Sequence, residues 1–183
     1  MLEAAGLVFT VAPAGIDEGE IKRRERARNC APAAIAAVLA RIKAEAVSAR
    51  RPNDVVIGAD QVLECAGELM DKPADRAAAR LQLISLRARA HGLHTAVSLA
   101  IGGVSVWCHC EPARLLMRPF SDAFLAWYLA AVGENVLETV GAYQVEGLGI
   151  QLFERIEGDH FTIMGLPLVP LLHELRRRGV LET

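Results

Sequence analysis

The sequence has no excess of positive charge: 20 Lys and Arg stand against 22 Asp and Glu, a net charge of −2. A chain that holds DNA or RNA by neutralising phosphates is basic overall, so that class is excluded and a small anionic ligand stays open. A membrane span is missing as well. The longest stretch without Asp, Glu, Lys or Arg, His91 to Cys110, carries three histidines, Gly102-Gly103 and many β-branched residues, the pattern of a hairpin. The start, Met1-Leu2-Glu3-Ala4-Ala5-Gly6, lacks the basic and apolar regions of a signal peptide, so the cytoplasm is the expected compartment. Two phosphate cradles are also absent. Neither Gly-x-x-x-x-Gly-Lys-[Ser/Thr] nor Gly-x-Gly-x-x-Gly occurs, which removes P-loop NTPases and Rossmann dehydrogenases.

Cysteine is sparse, at positions 30, 65, 108 and 110, and with an ordinary core available these thiols are expected to be reduced. Cys108-His109-Cys110 does not read as a zinc site, because a strand puts His109 on the face opposite the two cysteines and no second Cys-x-x-Cys completes a set. There is no internal repeat. At 183 residues and 52% hydrophobic, the chain is long and apolar enough for one domain, 1–183, with a substantial core; an elongated, two-lobed form is compatible.

Helices and strands alternate along the chain. Leu7 to Val11 reads as a strand and Ala12 to Asn29 as an irregular, charged connection. From Pro32 to about Ala49 an alanine-rich helix puts Ile35, Leu39, Ile42 and Ala46 on one face, with Lys43 beside it. Val55 to Ala59 is a buried strand; Val62 to Cys65 and Glu68 to Met70 form a hairpin about Ala66-Gly67. Asp75 caps a helix to about Leu86, with Ala79, Leu83 and Leu86 inward. Leu93 to Ile101 and Val104 to Met117 are long strands joined at Gly102-Gly103, a dipeptide suited to positive φ. Ser121 caps the next helix and Gly133 ends it. Thr139 to Phe153 mixes strand and loop, Phe153 to Ile156 adds a short strand, and Pro167 opens a last helix, Leu168 to Arg178, stopped by Gly179. The order gives an α/β (α+β) class with a mixed sheet flanked by helices.

Chemistry concentrates at Val55-Val56-Ile57-Gly58-Ala59-Asp60-Gln61, where a buried run ends in a carboxylate and an amide, with Lys72-Pro73 following on a loop. An acid at a strand end with a nearby lysine suits a polyanionic substrate: the acid can hold a metal and the lysine can neutralise phosphate. Asp17-Glu18, folded back toward Asp60, would add oxygen ligands for Mg²⁺ or Mn²⁺. Lys43 and Lys72 would then face phosphates, the alternative being that both are surface ammonium groups. Lys22-Arg23-Arg24-Glu25-Arg26-Ala27-Arg28 reads as an exposed loop, since no aromatics are interleaved for nucleic-acid stacking. Asp159-His160 reads as a loop cap.

Taken together, Asp17-Glu18, Lys43-Ala44, Val56-Ile57-Gly58-Ala59-Asp60-Gln61, Asp71-Lys72-Pro73, His94-Thr95, Gly141-Ala142-Tyr143-Gln144-Val145-Glu146-Gly147 and the run from Gly158-Asp159 to Gly165-Leu166-Pro167-Leu168 resemble the Maf family of nucleotide pyrophosphatases over nearly the whole chain. The resemblance implies an elongated α/β fold of two lobes with a central cleft. It also implies hydrolysis of a nucleoside triphosphate to the monophosphate and pyrophosphate with a divalent metal. Asp60 then looks like the acceptor of the attacking water's proton, Glu18 and Asp60 like metal ligands, and Lys43 and Lys72 like phosphate contacts. Gln61 and Glu146 stand where family branches differ in base choice. Gln61 in place of Thr, and Glu146 in place of Gln, resemble the 7-methyl-GTP branch rather than the dTTP/UTP branch.

The family usually begins with an apolar strand and a Ser-x-Ser-x-Arg-Arg loop, and this chain starts at what resembles the following helix. That start is expected to be either an internal methionine or the start of a shortened copy. Asp71 also stands where the family commonly has Gly. Two alternatives accompany the main reading: a nucleotide-binding or cell-division regulatory protein with weak turnover, and an inosine or xanthosine triphosphate pyrophosphatase. The expected partner is a nucleoside triphosphate, without nucleic acid or membrane, and a homodimer is the default assembly.

Overall fold

The computed structural model describes residues 1–182, and long-range contacts divide the chain into two compact units. Unit 1 comprises residues 1–60, 95–111 and 165–183; unit 2 comprises 61–94 and 112–164. Five strands form one sheet in the order β2-β1-β3-β4-β5, with β1 at Val56–Cys65, β2 at Glu68–Met70, β3 at Ala90–Ile101, β4 at Val104–Met117 and β5 at Phe153–Glu157. The edge pairs β1–β2 and β4–β5 are antiparallel, and β3–β4 is a hairpin turning at Gly102 and Gly103, both at positive φ (59° and 84°). Helices flank these strands, as the α/β reading expects. Among the described residues no helix is long and apolar enough to cross a membrane.

Unit 1 holds α1 (Glu18–Ala27), α2 (Pro32–Arg50) and α6 (Leu168–Arg177). The segment from Ala12 to Asn29, expected to be irregular, is therefore helical over α1. Its signal is electrostatic instead of apolar. Asp17 caps the Glu20 N–H, Glu18 and Glu20 occupy the first turn and Arg24 and Arg26 the last, so side-chain charges oppose the helix dipole. Only Ile21 and Glu25 are buried, which leaves little periodicity to detect, and the basic run 22–28 lies on this helix. Leu7 to Val11, by contrast, joins no strand ladder, and Val8 and Val11 are exposed.

The inward face of α2 is Ile35, Ala36, Leu39, Ala40, Ala44 and Val47, so Ala44 and Val47 take the places expected for Ile42 and Ala46. Close approach to β1 explains the change. A Cβ added at Gly58 would lie 2.6 Å from the Ala44 nitrogen and closer still to the Ala40 carbonyl oxygen, a separation that neither backbone can yield without moving. Alanine at 40 and 44 and glycine at 58 let helix and strand touch along their backbones. Gly58→Ala is expected to destabilise the fold by about 1–3 kcal/mol through overpacking, read as a lower urea midpoint at unchanged slope. The end of α6 is tied down by Glu174, which accepts hydrogen bonds from Arg177 and Arg178; those partners, Arg177 first, hold its pKa down to about 2. Arg178 also donates to the Val106 carbonyl at 2.9 Å.

Unit 2 holds β2, α3 (Arg76–Leu86), α4 (Asp122–Val132), β5 and α5 (His160–Ile163). Asp75 and Ser121 cap α3 and α4 as expected, bonding the Ala78 and Phe124 N–H groups. Ala79, Leu83 and Leu86 of α3 join Leu63, Leu93, Leu115, Met117, Leu125 and Tyr128 in one core. Residues 139–153 form short 3-10 turns at Val140–Ala142 and Leu148–Leu152 instead of a strand. His91 is buried in this core with its Nε2 2.8 Å from the Tyr143 hydroxyl, and burial lowers its pKa to about 4, so the ring is neutral at physiological pH.

Candidate active site

Strand β1 continues through Asp60 and Gln61 to Cys65, so Asp60 lies within the strand and not at its end. The two segments expected on either side of it are one ten-residue strand. Because Gly58 lets α2 sit against β1, Lys43, one residue before Ala44, reaches the carboxylate. Its ammonium lies 2.7 Å from Asp60 Oδ1 and 2.8 Å from Glu18 Oε1. Glu18 is brought there by α1, whose first residue it is. Three residues from separate elements of unit 1 thus share one cluster, with the ammonium bridging two carboxylates.

The electrostatics of the cluster follow from burial. The Asp60 side chain is only 6% exposed, and its second oxygen, Oδ2, is buried without a hydrogen-bond partner. Burial raises the Asp60 pKa above the ordinary 3.8 and outweighs the opposing influence of Lys43. For Lys43 burial is again the largest influence and pulls the pKa down, but Asp60 and Glu18 together carry it above the ordinary 10.5. A carboxylate of raised basicity with one oxygen anchored and the other unpartnered is equipped to accept a proton.

The Glu18 and Asp60 carboxylates are hard oxygen donors of the kind Mg²⁺ or Mn²⁺ takes. Among the described residues no group of three or more His, Cys, Asp and Glu side chains is arranged to hold a metal. The donor set therefore fits an ion that keeps waters or substrate oxygens in its other positions, as Mg²⁺ usually does.

Three other predicted residues, Gln61, Lys72 and Glu146, belong to unit 2. Lys72 is exposed on the coil after β2, and Glu146 is exposed in the turn before Leu148–Leu152. Gln61 is engaged: its amide nitrogen donates to the carbonyls of Thr162 and Ile163 at 3.2 and 3.1 Å. Sequence reasoning missed this bridge. The only hint was Gly158-Asp159, since Asp159 caps α5 by accepting from the Thr162 N–H at 2.9 Å.

Known proteins resemble this chain along nearly its whole length. It is 52% identical over 181 residues to the nucleoside triphosphate pyrophosphatase of Paramagnetospirillum magneticum, covering 99% of this chain and 93% of that one. It is 49% identical over 181 residues to the protein of the same name from Granulibacter bethesdensis, with coverage of 99% and 92%. The 7-methyl-GTP pyrophosphatase of Rhizobium johnstonii is 47% identical over 182 residues, with coverage of 100% and 92%. The Maf-like protein family matches residues 1–178, which include the Glu18, Lys43 and Asp60 cluster, Gln61, Lys72 and Glu146; the chain belongs to the Maf family.

Proposed function

We propose that the chain hydrolyses a nucleoside triphosphate to the monophosphate and pyrophosphate, with 7-methyl-GTP as its preferred substrate and Mg²⁺ or Mn²⁺ as cofactor. The observation that carries the chemistry is Asp60, buried, with Oδ1 on Lys43 and Oδ2 without a partner. In this reading Oδ2 takes the proton of the water that attacks the α-phosphorus, and the pyrophosphate leaves with its electron pair. Lys43 holds the carboxylate in place and offsets negative charge developing on phosphate, and the family resemblance gives Lys72 as a second phosphate contact. A bound divalent ion, held by Glu18 and Asp60, would polarise the phosphoryl oxygens.

Glu146 supports the base preference. N7-methylation gives guanine a positive charge, which an exposed carboxylate attracts, while the same group accepts from the guanine N1–H and N2–H₂. The 7-methyl-GTP pyrophosphatases among the relatives agree with that choice. The test is product analysis over 7-methyl-GTP, GTP, ITP, dTTP and UTP with Mg²⁺ or Mn²⁺ and after chelation. Monophosphate and pyrophosphate in equal amounts, fastest with 7-methyl-GTP and lost on chelation, are expected. Preference for dTTP, UTP or ITP rejects the base assignment, and diphosphate with orthophosphate rejects the reaction.

A further inference from the structure

A structural zinc ion takes four donors, and Cys108 and Cys110 supply two. Two are enough for a softer ion. We propose that these residues of β4 hold one soft monovalent cation, Cu(I), between their sulfurs. The proposal is independent of the pyrophosphatase reading. β4 runs unbroken from Val104 to Met117, so residues two apart stand on one face and His109 on the other. Neither thiol is in a disulfide; Cys108 is exposed and Cys110 half-buried, so an incoming ion can reach them.

Spacing decides what the pair can do. Residues two apart along a strand have Cα atoms about 6.5–7 Å apart, the far end of the separations a disulfide spans. Strand side chains also stand roughly parallel to one another, so the sulfurs do not close on each other. One ion between them closes the gap. Electrostatics points the same way. Burial raises both thiols above their ordinary pKa, and at Cys110 the neighbouring Cys108 adds to the rise as a like charge, with Glu111 contributing after it. Two adjacent thiolates therefore need a cation between them. Arg41 of α2 favours the thiolate at Cys108. The Cys110 sulfur lies 3.6 Å from the carbonyl oxygen of Ala33, in the first turn of α2. That 19-residue helix starts with no side-chain cap and no acid in its first turn, so the sulfur sits beside an uncompensated positive helix end.

Donor number and softness select the ion. Thiolate is a soft donor, which favours Cu(I) over Mg²⁺, Ca²⁺ or Mn²⁺, and a filled-shell monovalent ion accepts two donors in line where zinc takes four. Among the described residues no group of three or more His, Cys, Asp and Glu side chains is arranged to hold a metal. The third thiol of unit 1, Cys30, is turned to Glu25 Oε2 at 3.4 Å. On binding, each thiol gives its proton to solvent and two S–Cu bonds form. Copper stays Cu(I), so no oxidant or reductant takes part.

The test titrates the reduced full chain with Cu(I), under argon and against a chromogenic Cu(I) chelator. Cys108→Ser, Cys110→Ser and Cys30→Ser are titrated beside it, each checked for folding by thermal melting. Wild type is expected to take one Cu(I) per chain, with two sulfur neighbours by X-ray absorption. Either β4 variant should lose more than the roughly 10²-fold in affinity that even outer partners of a metal site are worth, and Cys30→Ser should bind as wild type does. No binding by wild type, or undiminished binding by either β4 variant, overturns the pair. Weaker binding by Cys30→Ser, or three sulfur neighbours, overturns it in favour of a three-thiol site. One copper per two chains moves the ion to a contact between chains, and Zn²⁺ held as tightly as Cu(I) overturns the choice of ion. The sulfur count on wild type decides the matter even where a variant fails to fold. Pyrophosphate release is not read, so none of these outcomes bears on the proposed reaction.

Discussion

Asp60→Asn is expected to lower kcat for pyrophosphate release by about 10³-fold, within the range general-base removal gives, while the protein stays folded. Asparagine has nearly the carboxylate's shape but cannot take a proton at the position of Oδ2. Stability should change little because two effects oppose. The raised pKa means that the fold favours the protonated acid, so above the ordinary value of 3.8 the ionised Asp60 costs stability, and the neutral amide relieves that cost. Against this, Lys43 loses one of its two carboxylate partners and keeps Glu18. Thermal melting checks the fold and single-turnover kinetics the chemistry. Unchanged kcat would remove Asp60 from the role of base.

Lys43→Met is expected to damage both stability and rate. The Lys43 side chain is 22% exposed and Asp60 only 6%, so removal of the ammonium leaves a largely buried carboxylate unpaired. A cost of about 2–3 kcal/mol follows, below the usual range for breaking a fully buried pair because Lys43 is partly wet. Asp60→Asn in the same chain should recover part of that loss, since the uncompensated charge is gone; no recovery would show that the two do not couple. The rate should fall by about 10²–10³-fold, as for loss of an electrostatic donor.

The pH dependence of Lys43→Met has a definite sign. Lys43 lowers the Asp60 pKa and is outweighed by burial in the wild type. Without the lysine the Asp60 pKa climbs further, so the acid limb of the rate profile moves to higher pH. The wild-type pair also has an alkaline signature. Because the Lys43 pKa is raised above 10.5, its contribution to stability is complete below that value and is lost as pH rises through the folded pKa. That alkaline loss should be missing in Lys43→Met.

Much of the fold was legible in the sequence where its signals are local. Asp75 and Ser121 stand one residue before α3 and α4, and Gly102-Gly103 turns β3 into β4. Each is decided by groups a few residues apart, so no tertiary knowledge is needed. Helix α1 was not legible, since its stability comes from a cap, ordered charge and two buried residues instead of an apolar stripe. Leu7 to Val11 erred the other way: an apolar, β-branched run marks a segment that could pair, but a strand exists only when another strand meets it. Asp60 showed a similar limit. The strand was expected to stop at Ala59, whereas β1 runs unbroken through Asp60, and Gly58 is the contact point that lets α2 lie against it.

The sequence by itself determined the family and the α/β class, and it named candidate groups for the chemistry, because carboxylate, ammonium and amide chemistry travels with the residue. Only the tertiary structure decided what each is bound to. Lys43 and Asp60 are 17 positions apart and meet because α2 can touch β1 at Gly58; Gln61 and the Thr162 and Ile163 carbonyls meet across 101 and 102 positions. Such pairings depend on packing over long loops, where spacing in the chain carries no information about distance. So does the raised pKa of Asp60, which burial produces and which no composition or motif could state.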